Sequence, residues 1–496
     1  MPNSPVVKLA VVGVSRDCFP IELVKRRMAK LMSACRKAGV RPYACNTIVA
    51  TDADVPKAIA ELQKAGINAA VIYLGNFGPE GPLTVFAQRF GGPVMACAAA
   101  EETAEDLIGG RGDAYCGLLN ASYNFGLRGV KVYIPQKPVG LPEELIPSIK
   151  HFETVAKIQL GLKGLKIFAF GPRPHDFYAC NAPIQPLYDL GVEVVENSEL
   201  DLLQLYKKVD EKDKRVPSIV RSMAKELGGG NQYPDLLPKL ARFEIALTRF
   251  AEENLGSRQF AIFADKCWPA FEPAFGFVPC YVNSRLSAKG MPVSCEVDIY
   301  GTLSEYIAML ASDQPVTLLD INNTVPNDLI SDSEDLKGAT REDLFMGFHC
   351  GNSPACCMKG CCMKYQLIMR RLMEPEAPKP DITRGTLEGQ LKPGPATFFR
   401  LQGSADGKLH SYIAPGNILD VDPKSFGGIG VFAIPNFARF YRHVLVGQRF
   451  PHHGAVAFTH CGKALFDGVK MLGVKDISVP LPATMPYAGE NLFELM

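Results

Sequence analysis

Apolar runs alternate with amphipathic stretches through the first 100 positions of this chain, and two of the longer amphipathic stretches stop at a glycine. Val6–Val14 reads as a strand, and Ile21–Ala38 as a helix that stops at Gly39. Pro42–Val49 is a strand, Val55–Ala65 a helix that stops at Gly66, and Ala69–Leu74 a strand again. A short helix over Val85–Phe90 and a strand over Pro93–Ala96 follow. Strands joined by crossover helices call for a parallel, doubly wound α/β sheet. A glycine just past a helix is its usual stop, because it enters the left-handed conformation freely. Ligands gather at the carboxyl ends of such strands. Ser15-Arg16-Asp17-Cys18 and Gly75-Asn76-Phe77-Gly78 are therefore candidate loops, although plain turn chemistry accounts for the same residues equally well.

A connecting helix over 143–160 leads to a second alternating unit. It starts with the strand Leu165–Gly171, passes a helix near Pro183–Leu190, and reaches the strand Val192–Val195. A long helix around Leu236–Asn254 and the strand Gln259–Ala264 continue it. After about position 330 glycine and proline become frequent and helical periodicity fades. Ala396–Leu401 and Ile429–Ile434 read as β, so an antiparallel β-rich region is expected there. The expected division is an N-terminal α/β domain over 1–162, a second α/β domain over 163–330, and a β-rich domain over 331–496. A chain of 496 residues is too long for a single core.

Several classes are excluded. A net charge of +1 offers no basic field for nucleic acid. No apolar stretch reaches the roughly 18 residues of a membrane span. Val6–Val14 could pass for the apolar part of a signal peptide, but it lacks a basic leader and runs into Ser15-Arg16-Asp17. No Gly-x-Gly-x-x-Gly follows the first strand, and no phosphate loop occurs. The fifteen cysteines are odd in number, and Cys350, Cys356, Cys357, Cys361 and Cys362 crowd one window. Their doublets lack Cys-x-x-Cys spacing, so a loop of reduced thiols in a cytoplasmic protein is expected rather than a metal cluster.

Two acids stand out in apolar settings. Glu296 lies in Cys295-Glu296-Val297-Asp298-Ile299-Tyr300-Gly301, and Asp320 closes the run Pro315–Leu319. A charge beside apolar surface loses hydration, so each needs a partner or a function. Far downstream, Pro451-His452-His453-Gly454 adds imidazoles. Two carboxylates and a histidine suit a hard divalent ion such as Mn²⁺, with Mg²⁺ or Co²⁺ as alternatives. Such an ion polarises a sugar carbonyl, and a carboxylate can then move the neighbouring carbon-bound proton through an enediolate. Taken singly, each residue has an ordinary explanation: a helix-start acid for Glu296, an Asx turn for Asp320, a packed core histidine for His453.

The segments Lys266-Cys267-Trp268-Pro269, Ser294–Gly301, the strand ending in Asp320, Phe348-His349-Cys350-Gly351-Asn352 and Arg449–Phe458 resemble those of the L-fucose isomerase family, metal-dependent ketol isomerases with an L-arabinose isomerase branch nearby. The resemblance implies two α/β domains followed by a β-rich domain. It implies Glu296, Asp320 and His453 as Mn²⁺ ligands, with Glu296 and Asp320 also transferring protons, and His452 as the poorer ligand. It implies a monosaccharide substrate of the L-fucose or D-arabinose kind, and a homo-oligomer, hexameric or similar, in which the first domain of one subunit covers the site of another. Arg16, Trp268, His349, Asn352 and Arg400 are then candidate substrate contacts, with His349 a candidate fourth ligand. The cysteine-rich stretch and the single tryptophan depart from the family pattern. Arg16, Lys266 or Arg400 could admit an anionic, sulfonated or phosphorylated sugar instead. Two rivals are a sugar-binding protein without catalysis and a redox or metal-storage role for the cysteines.

Overall fold

The computed structural model describes residues 3–491 and Phe493, so the outermost positions of 1–162 and 331–496 lie outside the described residues. By contact density the chain forms two compact units, Pro5–Leu160 and Gly161–Met496 with Met1–Ser4.

The first unit holds a five-stranded parallel sheet of order β2-β1-β3-β4-β5. Its strands are β1 (Leu9–Val14), β2 (Tyr43–Ala44), β3 (Ala69–Leu74), β4 (Val94–Ala99) and β5 (Val139–Gly140). This is the flavodoxin-like doubly wound order. Every residue of β1, β3 and β4 is buried, as expected for parallel strands covered by helices on both faces. The strand expected over Pro42–Val49 forms a ladder at Tyr43–Ala44 and then touches β1 again through a single bridge from Val49 to Val14. Between the two the Glu61 carboxylate takes the Asn46 and Thr47 backbone N–H groups at 2.7 and 3.1 Å, which withdraws them from the ladder.

The second unit contains a four-stranded parallel sheet of order β7-β6-β8-β9. Its strands are β6 (Leu165–Gly171), β7 (Glu193–Ser198), β8 (Phe260–Ala264) and β9 (Val293–Ser294). The same unit carries a nine-stranded mixed sheet. Those strands are β10 (Val316–Thr324), β11 (Leu344–His349), β12 (Cys362–Tyr365), β13 (Arg384–Gln390), β14 (Gly394–Gly403), β15 (Leu409–Ile418), β16 (Gly428–Ala433), β17 (His453–Ala457) and β18 (Asp476–Ser478). An extra pairing of β15 with β16 closes β16-β11-β10-β17-β14-β15 into an antiparallel barrel. Closure removes the exposed edges that an open sheet would leave. Phe345, Phe398 and Phe432 interlock in its interior, with ring centroids 4.9–5.3 Å apart.

The fold class is thus two parallel α/β sheets followed by a β-rich C-terminal region. The helix Ile299–Ser312 joins the two sheets of the second unit, packing on β8 and on β10, β14 and β17. It is buried on all sides from Ile299 to Leu310, because it is covered by a sheet and a barrel at once. Asp320, expected at the end of its strand, lies in the middle of β10, which runs on to Thr324 past a bulge at Ile321–Asn323.

Candidate active site

Strand register brings Asp320 and His453 together. β10 and β17 are antiparallel, and these two residues sit directly opposite one another. Cross-strand neighbours on one face stand about 5 Å apart, within reach of a shared ligand. Glu296 arrives by another route. It lies in the turn between β9 and the helix Ile299–Ser312, and both Glu296 and Val297 have left-handed backbones, with φ of 54° and 55°. A β-branched residue rarely adopts that conformation, which costs on the order of 1–3 kcal/mol. The turn is held from outside by Val297 N–H donating to the Asp265 carbonyl at 2.8 Å and by Ser294 Oγ donating to the Asp298 carbonyl at 2.6 Å.

Three atoms converge as a result. His453 Nε2 stands 2.9 Å from Glu296 Oε2 and 3.3 Å from Asp320 Oδ1. All three atoms are buried and none has a hydrogen-bond partner. Native proteins seldom leave such atoms unsatisfied without a ligand to supply the bond. The Glu296 and Asp320 side chains remain 13 % and 19 % exposed, enough to meet a ligand from outside, while His453 is fully enclosed.

Asp298 sets the direction of His453. Its Oδ2 lies 2.8 Å from His453 Nδ1. A carboxylate only accepts, so Nδ1 carries the hydrogen and the Nε2 lone pair points at Glu296 and Asp320. Arg400 grips the same carboxylate with both terminal nitrogens, at 2.6 and 2.9 Å, and Gln402 Oε1 accepts from Arg400 in turn. Asp298 also caps the helix by accepting from Gly301 N–H at 2.8 Å. A side chain at Gly301 would meet that carboxylate at 2.6 Å. Burial opposes ionisation of Asp298, but Arg400 and His453 outweigh it and hold its carboxyl well below the usual range. Asp320 is likewise lowered despite its burial, by His453, His349 and His452. Burial would lower His453, yet the surrounding carboxylates raise it well above an ordinary histidine. A divalent cation reverses that preference by taking the place of the proton.

The donor set therefore fits a metal. Two oxygens and one imidazole nitrogen are unpartnered and close together. Three carboxylates against one guanidinium leave two negative charges, which a divalent ion neutralises. The carboxylate and imidazole ligands favour a hard to borderline ion, and the Cys180 and Cys295 thiols fall in the same groups of candidate ligand atoms.

The other expected residues are placed as follows. Arg400 is fully buried and committed to Asp298 and Gln402, so it positions a carboxylate instead of reaching a substrate. Lys266 is buried and paired with Glu199 at 2.9 Å. His349 is buried with its ring centroid 5.8 Å from that of His453. Its Nδ1 accepts the Cys350 N–H at 2.9 Å, and it offers a ligand atom within 4.8 Å of those of Glu296 and Cys295, so it stays a candidate fourth ligand. Asn352 is buried with an unpartnered Oδ1. Trp268 packs on Cys267, Cys280, Cys295 and Met369, one residue removed from Glu296. His452 Nε2 is 3.8 Å from Asp320 and its ring meets Phe177 edge-on. Arg16 belongs to the first unit, where it pairs with Glu80 at 3.4 Å over the Phe77 ring. Among the described residues, none of Cys356, Cys357, Cys361 and Cys362 joins a group of metal-ligating atoms. Sequence reasoning gave no role to Asp298 or Cys180. The Asp298-Ile299-Tyr300-Gly301 spacing, an N-cap acid before a helix, was the signal for the first.

Comparison with known proteins agrees with this geometry. Residues 10–163 match the fucose/sulfoquinovose isomerase N-terminal domain, and residues 347–478 match the L-fucose isomerase C-terminal domain. The chain belongs to the L-fucose isomerase family. It is an aldose–ketose isomerase. Sulfoquinovose isomerase from Priestia megaterium (strain ATCC 12872 / QMB1551) is 24 % identical over 480 residues, covering 94 % of this chain and 97 % of that protein. Sulfoquinovose isomerase from Alkalicoccus urumqiensis is 27 % identical over 292 residues, 58 % of each chain. Among the described residues of the isomerase no helix is long and apolar enough to cross a membrane.

Proposed function

We propose that this isomerase converts sulfoquinovose, or a close sulfonated aldose, into the corresponding ketose with a bound Mn²⁺ or similar divalent ion. The observation that carries the reading is the convergence of the unpartnered Glu296 Oε2, Asp320 Oδ1 and His453 Nε2. The names of relatives spanning nearly the full chain favour the sulfonated substrate over an L-fucose or D-arabinose type.

A divalent ion held by Glu296, Asp320 and His453 supplies Lewis acidity to the sugar carbonyl and the adjacent hydroxyl. The protein's own residues do the proton work. Of Glu296 and Asp320, one takes the proton from C2 of the aldose, which gives a cis-enediolate; the hydroxyl proton then shifts from O2 to O1 and the carbon-bound proton is returned to C1, which gives the ketose. Glu296 is held in a strained, externally braced turn, which fixes the carboxylate against the reacting carbons. Asp298 holds the His453 Nδ1–H, so the Nε2 lone pair stays turned toward Glu296 and Asp320.

All fifteen cysteines are free, which fits a reducing compartment such as the cytoplasm. Tyr115, Leu119, Tyr123 and Leu127 form an exposed stripe at four-residue spacing on the helix Ala114–Leu127, and this supports a homo-oligomer, which sedimentation of the purified protein tests.

The reaction is tested by proton NMR in D₂O. Protein loaded with Mn²⁺, with free metal then removed, is mixed separately with sulfoquinovose, L-fucose and D-arabinose. Metal-dependent deuterium at C2 of sulfoquinovose, with ketose accumulating, is expected. Exchange confined to a neutral sugar overturns the substrate assignment, and no exchange by metal-loaded protein overturns the reaction.

A further inference from the structure

We propose that Arg173 is the residue that recognises the sulfonate, and so sets the choice between a sulfonated and a neutral sugar. This rests on the sulfonated-aldose reading above. The loop after β6, from Pro172 to Cys180, borders the carboxylate site. Gly171 adjoins Val297, whose Cγ1 lies 3.5 Å from where a Cβ on that glycine would stand. Phe177 meets His452 with ring centroids 5.6 Å apart. Cys180 Sγ lies 3.7 Å from His453 Nδ1. Within this loop Arg173 Nε donates to the Cys180 carbonyl at 2.8 Å, which anchors the guanidinium stem on the residue whose thiol touches His453. Its two terminal nitrogens have no hydrogen bond or ion pair among the described residues.

Charge makes the case. The carboxylates and their cation neutralise one another, so the charge of a sulfonate is left to be met by a positive group that stands apart from them. Arg400 and Lys266 do not serve, since Asp298 neutralises the first and Glu199 the second. Among the described residues Arg173 has no acidic partner. Its free edge presents two parallel N–H donors, which match two oxygens of a tetrahedral sulfonate in the geometry that a lysine ammonium lacks. The arginine is half-buried, so its charge acts with less screening than one in bulk water. It also stands between Pro172 and Pro174. Proline fixes its own φ and confines the residue before it to extended conformations, so the loop is stiff before any ligand arrives.

The test uses the full-length, metal-loaded protein and the variants Arg173→Met and Arg173→Lys. The probes are sulfoquinovose as substrate and methyl α-sulfoquinovoside, which has no free carbonyl, as competitive ligand. Loss of a charge-assisted pair predicts a rise of about tenfold to a hundredfold in both KM and inhibition constant for Arg173→Met, with kcat within about threefold of the parent. Arg173→Lys should fall between, since it keeps the charge without the fork. Unchanged constants in Arg173→Met overturn the assignment while leaving the sulfonated-aldose reading standing. So does a loss of kcat at unchanged KM, which marks a structural role. A parent protein that neither turns over nor binds either sulfonated probe overturns both.

Discussion

Arg285 lies buried between Glu244 and Glu226, and the charges around it are paired. Its Nε bonds Glu244 at 2.8 Å and its Nη1 bonds Glu226 at 2.7 Å. Lys289 takes the other Glu244 oxygen, and Tyr281 donates to Glu226 at 2.6 Å. Glu296, Asp320 and His453 sit in the same compact unit with the same kinds of group, yet their facing atoms are left without partners. The first cluster was completed by the fold. The second was completed up to the point where a ligand must supply the rest. Asp298 sharpens the contrast, because it has the closed character of the Arg285 cluster while touching the open one. It faces Arg400 on one side and His453 on the other.

If the open cluster is the reaction centre, Glu296→Gln should produce the largest effect in the molecule. Removing an acid–base group costs about 10²–10⁴ in kcat. Thermal unfolding of the metal-free variant should stay close to the parent, since glutamine keeps the volume and reach of the side chain. Turnover retained within tenfold would end the claim that this carboxylate moves the proton.

The closed cluster should respond in the opposite way. Arg285→Met leaves the buried Glu244 carboxylate with only the half-exposed Lys289 as partner, and breaking a buried pair from one side costs about 3–5 kcal/mol. Urea unfolding of the metal-free protein reads that loss. Metal affinity and the KM for sugar should stay with the parent at temperatures where the variant is folded. A fall in metal affinity at full folding would show that the two clusters are coupled and not separate.

The sequence made the parallel sheets legible because alternation of apolar runs with glycine-stopped helices is a local signal. The β1 and β3 strands follow from it directly, while the strand expected over Pro42–Val49 shortened because Glu61 competes for its backbone, a contact that no local pattern announces. Barrel closure is a matter of register between β15 and β16, which is invisible without pairing. The candidate site was legible in residue type, since acids in apolar runs and a histidine before a glycine are rare enough to notice. Its second layer was not. Arg400 was read as a contact for a sugar because a buried arginine and an exposed one look alike in sequence. Only the pairing with Asp298 across the helix–barrel junction tells them apart. The strain at Glu296–Val297 was likewise hidden, because neither residue type favours a left-handed backbone.

Asp298→Asn is the finest probe of the boundary between the clusters. As a carboxylate, Asp298 accepts from Arg400 twice, from His453 Nδ1 and from Gly301 N–H, so its lone pairs are in use. Arg400 spans both oxygens, so an amide sets its NH₂ against a guanidinium donor in either orientation. In the Oδ1 place the NH₂ also opposes Gly301 N–H. In the Oδ2 place it donates to His453 Nδ1, which moves the ring hydrogen to Nε2 and closes the lone pair that faces Glu296 and Asp320. Either outcome weakens the metal site, and loss of such a supporting carboxylate typically costs 10–100-fold in metal affinity. Titration of the metal-free variant with Mn²⁺, read by the signal of the free ion, should show that shift, and excess metal should restore much of the turnover. Unchanged affinity with a lower unfolding temperature would reduce Asp298 to a helix cap and return it to the closed kind of cluster.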